Sequence, residues 1–489
     1  MKKAPLGKKH SSGELIFEPI ERNEFGKGVH DNYEKIKEET KGVDTALATF
    51  AVTRGVIEHE AGPDIGDPRK VGWTYLISED QPFFNEIIET ISPLAEHRGM
   101  TNPEKPLIFT SDAVGDYLTW MNEKLVRDSV TLKPSPHYIL IIGDPNLVPF
   151  NFQSALSTRA CVGRIDIGAK TKDDAILNLK TYVDKVHRME NSKQPFVTDD
   201  TIFFATDEGI NQKGCSDATF YSHHYLSKPL SKFVRNNIQF KTIEIMAEKA
   251  TKKNLLDSLE KSKPSLIFTA SHGTSPYGEK ADVQKKYTGA IVCKDYLDSH
   301  DEQDSLITED DIPIDKPFAE GSVFVQFGCF GYGTPAITEV AKWNYENGIW
   351  TGLQLAPKSY VSPIPKKLIF NPNGPLAFIG HVDVAMYNSF TNPKNPLPDA
   401  AYDPRIDPYF TMMQSLLSGD PVSLALSDVS KKFNSANEQF PRLYNSHQLK
   451  LITDDAYYAK LADTYLERVD AGNFMIFGDP AACMKIMQT

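Results

Sequence analysis

The chain has 489 residues, more than one ordinary hydrophobic core accommodates, so two or three domains or subdomains are expected. Hydrophobic residues make up 40% and charged residues 24%, and the formal net charge of -12 counts against nucleic acid as a partner. No apolar run is long enough to span a bilayer, so no membrane partner is expected.

The N-terminus MKKAPLGKKHSSGEL has lysines but no apolar stretch behind them, so it reads as a basic tail and not a secretory signal. Residues 1–70 are polar and weakly patterned, an N-terminal extension in which 43–56 (VDTALATFAVTRGV) fits a strand or a short helix. Residues 71–200 read as a smaller N-terminal α/β subdomain. WTYLI (73–77) is a strand, and Phe84, Ile87, Ile88 and Ile91 recur behind Pro82 at helical spacing. Leu107-Ile108-Phe109 is a further strand, after which Ser111-Asp112 can cap a helix carrying Val114, Tyr117, Leu118 and Met121. YILII (138–142) is a buried strand cut by Gly143-Asp144-Pro145, and CVGRIDI (161–167) is another. Ile176, Leu179, Val183 and Val186 form one helical stripe, with Asp173 and Asp174 near its start, where the helix dipole favours them.

Residues 201–489 read as the second and larger domain. TIFFA (201–205) is a strand, IQFKTIEI (238–245) alternates as a strand with one wetter face, and Thr251 caps a helix carrying Leu255, Leu256 and Leu259. Two apolar runs follow that each stop at a small-residue turn. Leu266-Ile267-Phe268 leads to Ser271-His272-Gly273, and Val323-Phe324-Val325 leads to Gly328-Cys329. The polar, acidic connection between them reads as a solvated loop. PLAFIGHV (375–382) is a strand, 391–409 is an irregular proline-rich loop, and helical patterns occupy 411–418, 422–432 and 455–468. FMIF (474–477) closes the chain as a strand before Gly478-Asp479-Pro480. Strands alternating with helices argue for an α/β fold with a mainly parallel sheet flanked by helices.

In a parallel sheet the carboxyl ends of neighbouring strands share one edge, and ligands bind there. His272 and Cys329 stand at two such ends. Brought together they would form a nucleophilic dyad, in which the imidazole takes the thiol proton and the thiolate attacks a carbonyl. The remaining thiols are weaker candidates: Cys161 and Cys483 read as core, while Cys215 and Cys293 lie in polar stretches with no base nearby. The five cysteines show no CxxC pair, which counts against a disulfide framework or a zinc site. His223-His224 could hold a metal but reads more cheaply as part of a surface helix. GYGTP lacks the lysine and spacing of a phosphate loop, and no G-x-S-x-G elbow is present. Turn chemistry accounts for Gly143-Asp144 and Gly478-Asp479. No cofactor and no metal are expected, and the compartment expected is the cytoplasm, where thiols stay reduced.

Over roughly residues 136–483 the sequence resembles the caspase-haemoglobinase clan of cysteine peptidases, and within it the gingipain-like family. The resemblance lies in YILIIGDPNLVPF, CVGRIDIGAKTKDDAILNLKTYVDKV, TASHGTSPYG, QFGCFGYGTP, SLLSGDPVSLAL and NFMIFGDPAACM, taken in that order. It implies a caspase-like fold, with Cys329 as nucleophile, His272 as general base or ion-pair partner, and the backbone N–H groups of Gly273 and Cys329 as the oxyanion hole. It also implies that a protein or peptide is the substrate, and that the wall of the specificity pocket is PLAFIGHVDVAMYNSF (375–390). Alternation along that strand would point His381 and Asp383 the same way, with Asp383 pairing a basic P1 side chain and Tyr387 as an apolar flank. Clan-level analogy adds regulation of an intracellular protease by a protein partner. Two departures stand out. The family is usually secreted, and the stretch FNFQSALSTRA carries no acidic residue where the family places the one that selects a basic P1. The alternative from another class is a catalytically silent caspase-like scaffold that binds a protein.

Overall fold

The structure, a computed structural model, describes residues 6–8, 15–17, 22–39, 64–111, 116–125, 135–168, 171–209, 217–299, 305–314, 316–340, 344–346, 349–351, 353–392 and 403–486. The ambiguous segment 43–56, Cys215 and most of the loop at 391–409 lie outside these residues.

Ten strands form one sheet: β1 (Trp73–Ser78), β2 (Leu107–Phe109), β3 (Tyr138–Ile142), β4 (Cys161–Ile165), β5 (Asp200–Ala205), β6 (Lys241–Met246), β7 (Leu266–Ala270), β8 (Val323–Phe327), β9 (Ala377–His381) and β10 (Phe474–Phe477). Their spatial order is β2-β1-β3-β4-β10-β9-β8-β7-β5-β6. Every neighbouring pair is parallel except β9 with β10. The sheet is therefore two parallel blocks of opposite direction that meet at one antiparallel seam. Carboxyl ends of the β9-to-β6 block share an edge with the amino ends of the β2-to-β10 block. The expected α/β class with a mainly parallel sheet is what the chain adopts. Helices on both faces bury these strands, which is why they read as continuous apolar runs; β1, β3, β7, β8, β9 and β10 are buried at every position.

The helices that matter below are α1 (Arg22–Glu39), α2 (Phe84–His97), α3 (Lys172–Asn191), α4 (Ala218–Ser222), α5 (Lys252–Lys261), α6 (Pro363–Phe370), α7 (Asp407–Leu417), α8 (Ser427–Gln448) and α9 (Asp454–Asn473). Thr171 and Thr251 cap α3 and α5 by accepting from the N–H groups of Asp174 and Asn254. Asp116 caps a helix over Tyr117–Lys124 by accepting from Thr119, while Asp112 and Val114 of the expected helix lie outside the described residues. Segment 238–245 becomes a strand only from Lys241, because the preceding helical turns run through Ile238. Part of the acidic connection is also ordered. Leu306–Ile307 pairs antiparallel with Ile291–Val292, and both are buried. No helix among the described residues is long and apolar enough to cross a membrane.

A buried ion cluster ties the turn after β10 to α2, α3 and β1. Arg98, just past α2, places its guanidinium 2.6 Å from Glu190 on α3 and 2.6 Å from Asp479, whose other oxygen accepts from the Trp73 indole at 2.9 Å. Asp479 also accepts from Ala481 N–H, so its turn role and its ion pair coexist. Burial works against the Glu190 carboxylate, but Arg98 and a hydrogen bond from His97 hold it down to about 2. Its folded value thus lies below the ordinary 4.5, so its stabilisation is present above about pH 4.5 and is lost as pH falls towards 2. Arg98→Ala strands two buried carboxylates. We expect it to lower unfolding free energy by about 3–5 kcal/mol in urea denaturation at pH 7. The loss should shrink in acid, where the wild type loses the same contribution.

Candidate active site

Strands β7 and β8 are paired in register so that Ala270 lies beside Phe327. His272 and Cys329 are each two residues further on. They therefore stand level, on adjacent strands, at the carboxyl edge of their block. The backbones touch there. A Cβ on Gly273 would fall 1.8 Å from the Cys329 carbonyl oxygen, and one on Gly328 would fall 2.9 Å from the Ser271 carbonyl oxygen. Only glycine permits this approach. Gly273 faces Ile291 as a non-hydrogen-bonded antiparallel pair, flanked by Thr274 N–H to Ala290 O at 3.4 Å and Val292 N–H to His272 O at 3.1 Å. In such a pair the residue's own N–H turns outward.

His272 is 5% exposed, and its Nε2 lies 2.8 Å from Asp217 Oδ1 and 3.3 Å from Glu208 Oε1. A carboxylate only accepts, so Nε2 donates to Asp217. Asp217 is itself held. As the cap of α4 it accepts from Thr219 N–H at 2.9 Å and Thr219 Oγ1 at 2.8 Å, and Thr219 Oγ1 accepts from Glu208 N–H. Sequence reasoning did not find Asp217 or Glu208. The cap pattern before an aromatic-rich helix was visible in Asp217-Ala218-Thr219, but its bond to a histidine 55 residues on was not.

Cys329 is 7% exposed and belongs to an apolar cluster with Phe330, Val340, Leu355, Val384 and Met386. Burial pushes its thiol up to about 12. The Ala385 N–H favours the thiolate, whereas Asp383 and Asp470 disfavour it. The imidazole is thus anchored to the α4 side, and the thiol sits against the segment that follows β9. Two non-glycine residues around it adopt left-handed backbone, Phe330 with φ 58° and Asp383 with φ 69°, joined by Phe330 N–H to Asp383 O at 2.6 Å. Each such conformation costs about 1–3 kcal/mol and persists only where its surroundings impose it.

The expected alternation of His381 and Asp383 does not extend past β9, because the strand ends at His381 and Asp383 leaves extended backbone. His381 is fully buried against the Phe474 and Phe327 rings, with Nε2 3.3 Å from Asp470 Oδ1. Asp383 accepts from Thr338 Oγ1 at 2.6 Å, from Glu339 N–H at 3.3 Å and from Val384 N–H at 3.0 Å. Burial lifts its carboxyl to about 7, against the pull of those donors. Tyr387 stacks on Tyr221 of α4 at 4.7 Å.

The other thiols and histidines are also placed. Cys293 is buried, contrary to its polar sequence context, because it lies beside the Ile291–Val292 strand. Cys161 is half-buried, 3.5 Å from His137 Nε2, and lines a cavity of about 310 Å³ at the amino ends of β3 and β4. Burial lifts that thiol to about 11. His223 and His224 do not lie on an exposed face; both rings turn inwards to Asp207.

No family model matches the chain, and no curated protein matches it. Among solved structures it is similar to the Arg-specific cysteine proteinase gingipain R (RgpB), with 12% identity, 88% of this chain and 80% of the other covered, and a TM-score of 0.44. The complex of Porphyromonas gingivalis RgpB pro- and mature domains is similar at 13% identity, with 84% and 80% covered and a TM-score of 0.41. The Saccharomyces cerevisiae separase–securin complex is similar at 13% identity, with 72% of this chain and 16% of the other covered and a TM-score of 0.33.

Proposed function

We propose that the chain is a cysteine endopeptidase acting through Cys329 and His272, with Asp217 orienting the imidazole. The observation that carries this reading is the level placement of the two residues on β7 and β8, with backbones in a contact only glycine allows. In the proposed reaction Nδ1 of His272 takes the thiol proton and Cys329 Sγ bonds to the scissile carbonyl carbon. Negative charge then develops on the carbonyl oxygen, which the N–H groups of Gly273 and Cys329 stabilise. His272 returns the proton to the leaving amine as the C–N bond breaks. Water, deprotonated by His272, then breaks the thioester and releases the acid. No cofactor takes part.

The substrate is a protein or peptide. Regulation by a protein partner within the cell, where Cys329 would stay reduced, is part of the same proposal, and the burial of Cys329 supports it. A basic P1 preference belongs to the same proposal. Asp383 could pair with arginine or lysine once Thr338 moves off its carboxylate, beside His381 and Tyr387. The buried thiol also favours a second reading, a silent scaffold that binds a protein partner.

Labelling separates the two. A peptidyl chloromethyl ketone should attach one equivalent to Cys329 of the wild type, mapped by peptide mass. His272→Ala should label at least tenfold more slowly near neutral pH. Labelling that is absent in the wild type, or equal in both proteins at every pH, would leave the scaffold reading.

A further inference from the structure

We propose that Asp207, His223 and His224 form a binding site for a divalent transition-metal ion of the zinc type. Asp207 lies just past the end of β5, at the same sheet edge as the candidate active site. The two histidines follow α4, where the helix widens into a π turn over His223–Ser227. Successive residues of a regular α-helix point about 100° apart. Here both rings instead converge on one oxygen. His223 Nδ1 is 2.8 Å and His224 Nε2 is 3.0 Å from Asp207 Oδ2, and the ring centroids are 4.4 Å apart. The other carboxylate oxygen is fixed by the Gly209 N–H at 2.7 Å, so Oδ2 is the atom presented to the histidines. The Phe220 ring packs 4.5 Å from that of His224 and closes one side. Side-chain exposures of 11% for His223, 19% for His224 and 15% for Asp207 leave the group mostly dry but reachable.

Two imidazole nitrogens and one carboxylate oxygen, all within 4.8 Å of one another, suit a borderline-soft ion such as Zn²⁺, Co²⁺ or Ni²⁺ more than Ca²⁺ or Mg²⁺. Around zinc, tetrahedral ligands stand about 3.3 Å apart, so each nitrogen needs to move only a few tenths of an ångström from Asp207 Oδ2. Three protein ligands leave a fourth position open. The test is binding itself. That readout needs no turnover and is independent of the peptidase reading.

The full chain, without a polyhistidine tag and stripped of metal, would be titrated with Zn²⁺ by calorimetry and with Co²⁺ by visible absorption. We expect one equivalent to bind, with Co²⁺ giving the intense bands of a four-coordinate site. His224→Gln, which keeps an amide able to hydrogen-bond Asp207, and Asp207→Asn should each weaken binding at least 100-fold. His272→Ala should not change it. That arm separates the site from the neighbouring group of Glu208, Asp217 and His272, whose ligand atoms also lie within 4.8 Å of one another. No uptake by the wild type, undiminished affinity in both site variants, or loss confined to His272→Ala would each overturn the proposal.

Discussion

Cys329→Ala is expected to lower peptide turnover by roughly five to six orders of magnitude, the scale on which a lone nucleophile is lost. The same change should cost only about 1 kcal/mol in stability, since a sulfur is replaced by hydrogen in a packed site. A panel of fluorogenic peptides varied only at P1 reads the first, and urea denaturation reads the second. With wild type, arginine and lysine at P1 should be the best substrates. Cleavage after aspartate or leucine alone would remove the role of Asp383 and leave the dyad standing. Full turnover in the alanine variant would remove the dyad.

Gly273→Ala should be almost as damaging, for a different reason. The added methyl would sit 1.8 Å from the Cys329 carbonyl oxygen, 2.8 Å from its carbon and 3.0 Å from its nitrogen. All three are backbone atoms that cannot rotate away. The two turns must move apart, at about 1–3 kcal/mol of overpacking. That movement displaces the proposed oxyanion donors, and loss of one such donor costs about 10²–10³ in kcat. We expect kcat to fall by that factor while KM changes little. Gly28→Ala on α1 is the control: nothing lies within 4 Å of its Cβ, so it should be neutral or stabilise by about 0.5–1 kcal/mol. Equal effects at both positions would mean that the contact at Gly273 has no special role.

The strands were legible because both faces of this sheet are buried. YILII (138–142), LIF (266–268) and VFV (323–325) therefore show as unbroken apolar runs, and each lies in the sheet where its run falls. Helix starts were legible where a side chain caps within its own turn, as at Thr171 and Thr251. Cys293 is buried because the apolar Ala290-Ile291-Val292 just before it leads into a strand, a signal that the polar Lys294 and Asp295 after it obscured.

The sequence by itself determined the parallel α/β class and the two turns that carry a histidine and a cysteine behind glycines. Both are local: an apolar run, a small residue and a reactive side chain within a few positions. Only the tertiary structure decided the rest. It set β10 antiparallel to β9, and so reversed one half of the sheet against the other. It joined Asp217 to His272 across 55 residues, and both histidines at 223 and 224 to Asp207. It buried the Cys329 thiol and turned Asp383 towards Thr338. Those contacts depend on strand order and on left-handed backbone at Phe330 and Asp383, which packing imposes against local preference and which no local pattern encodes.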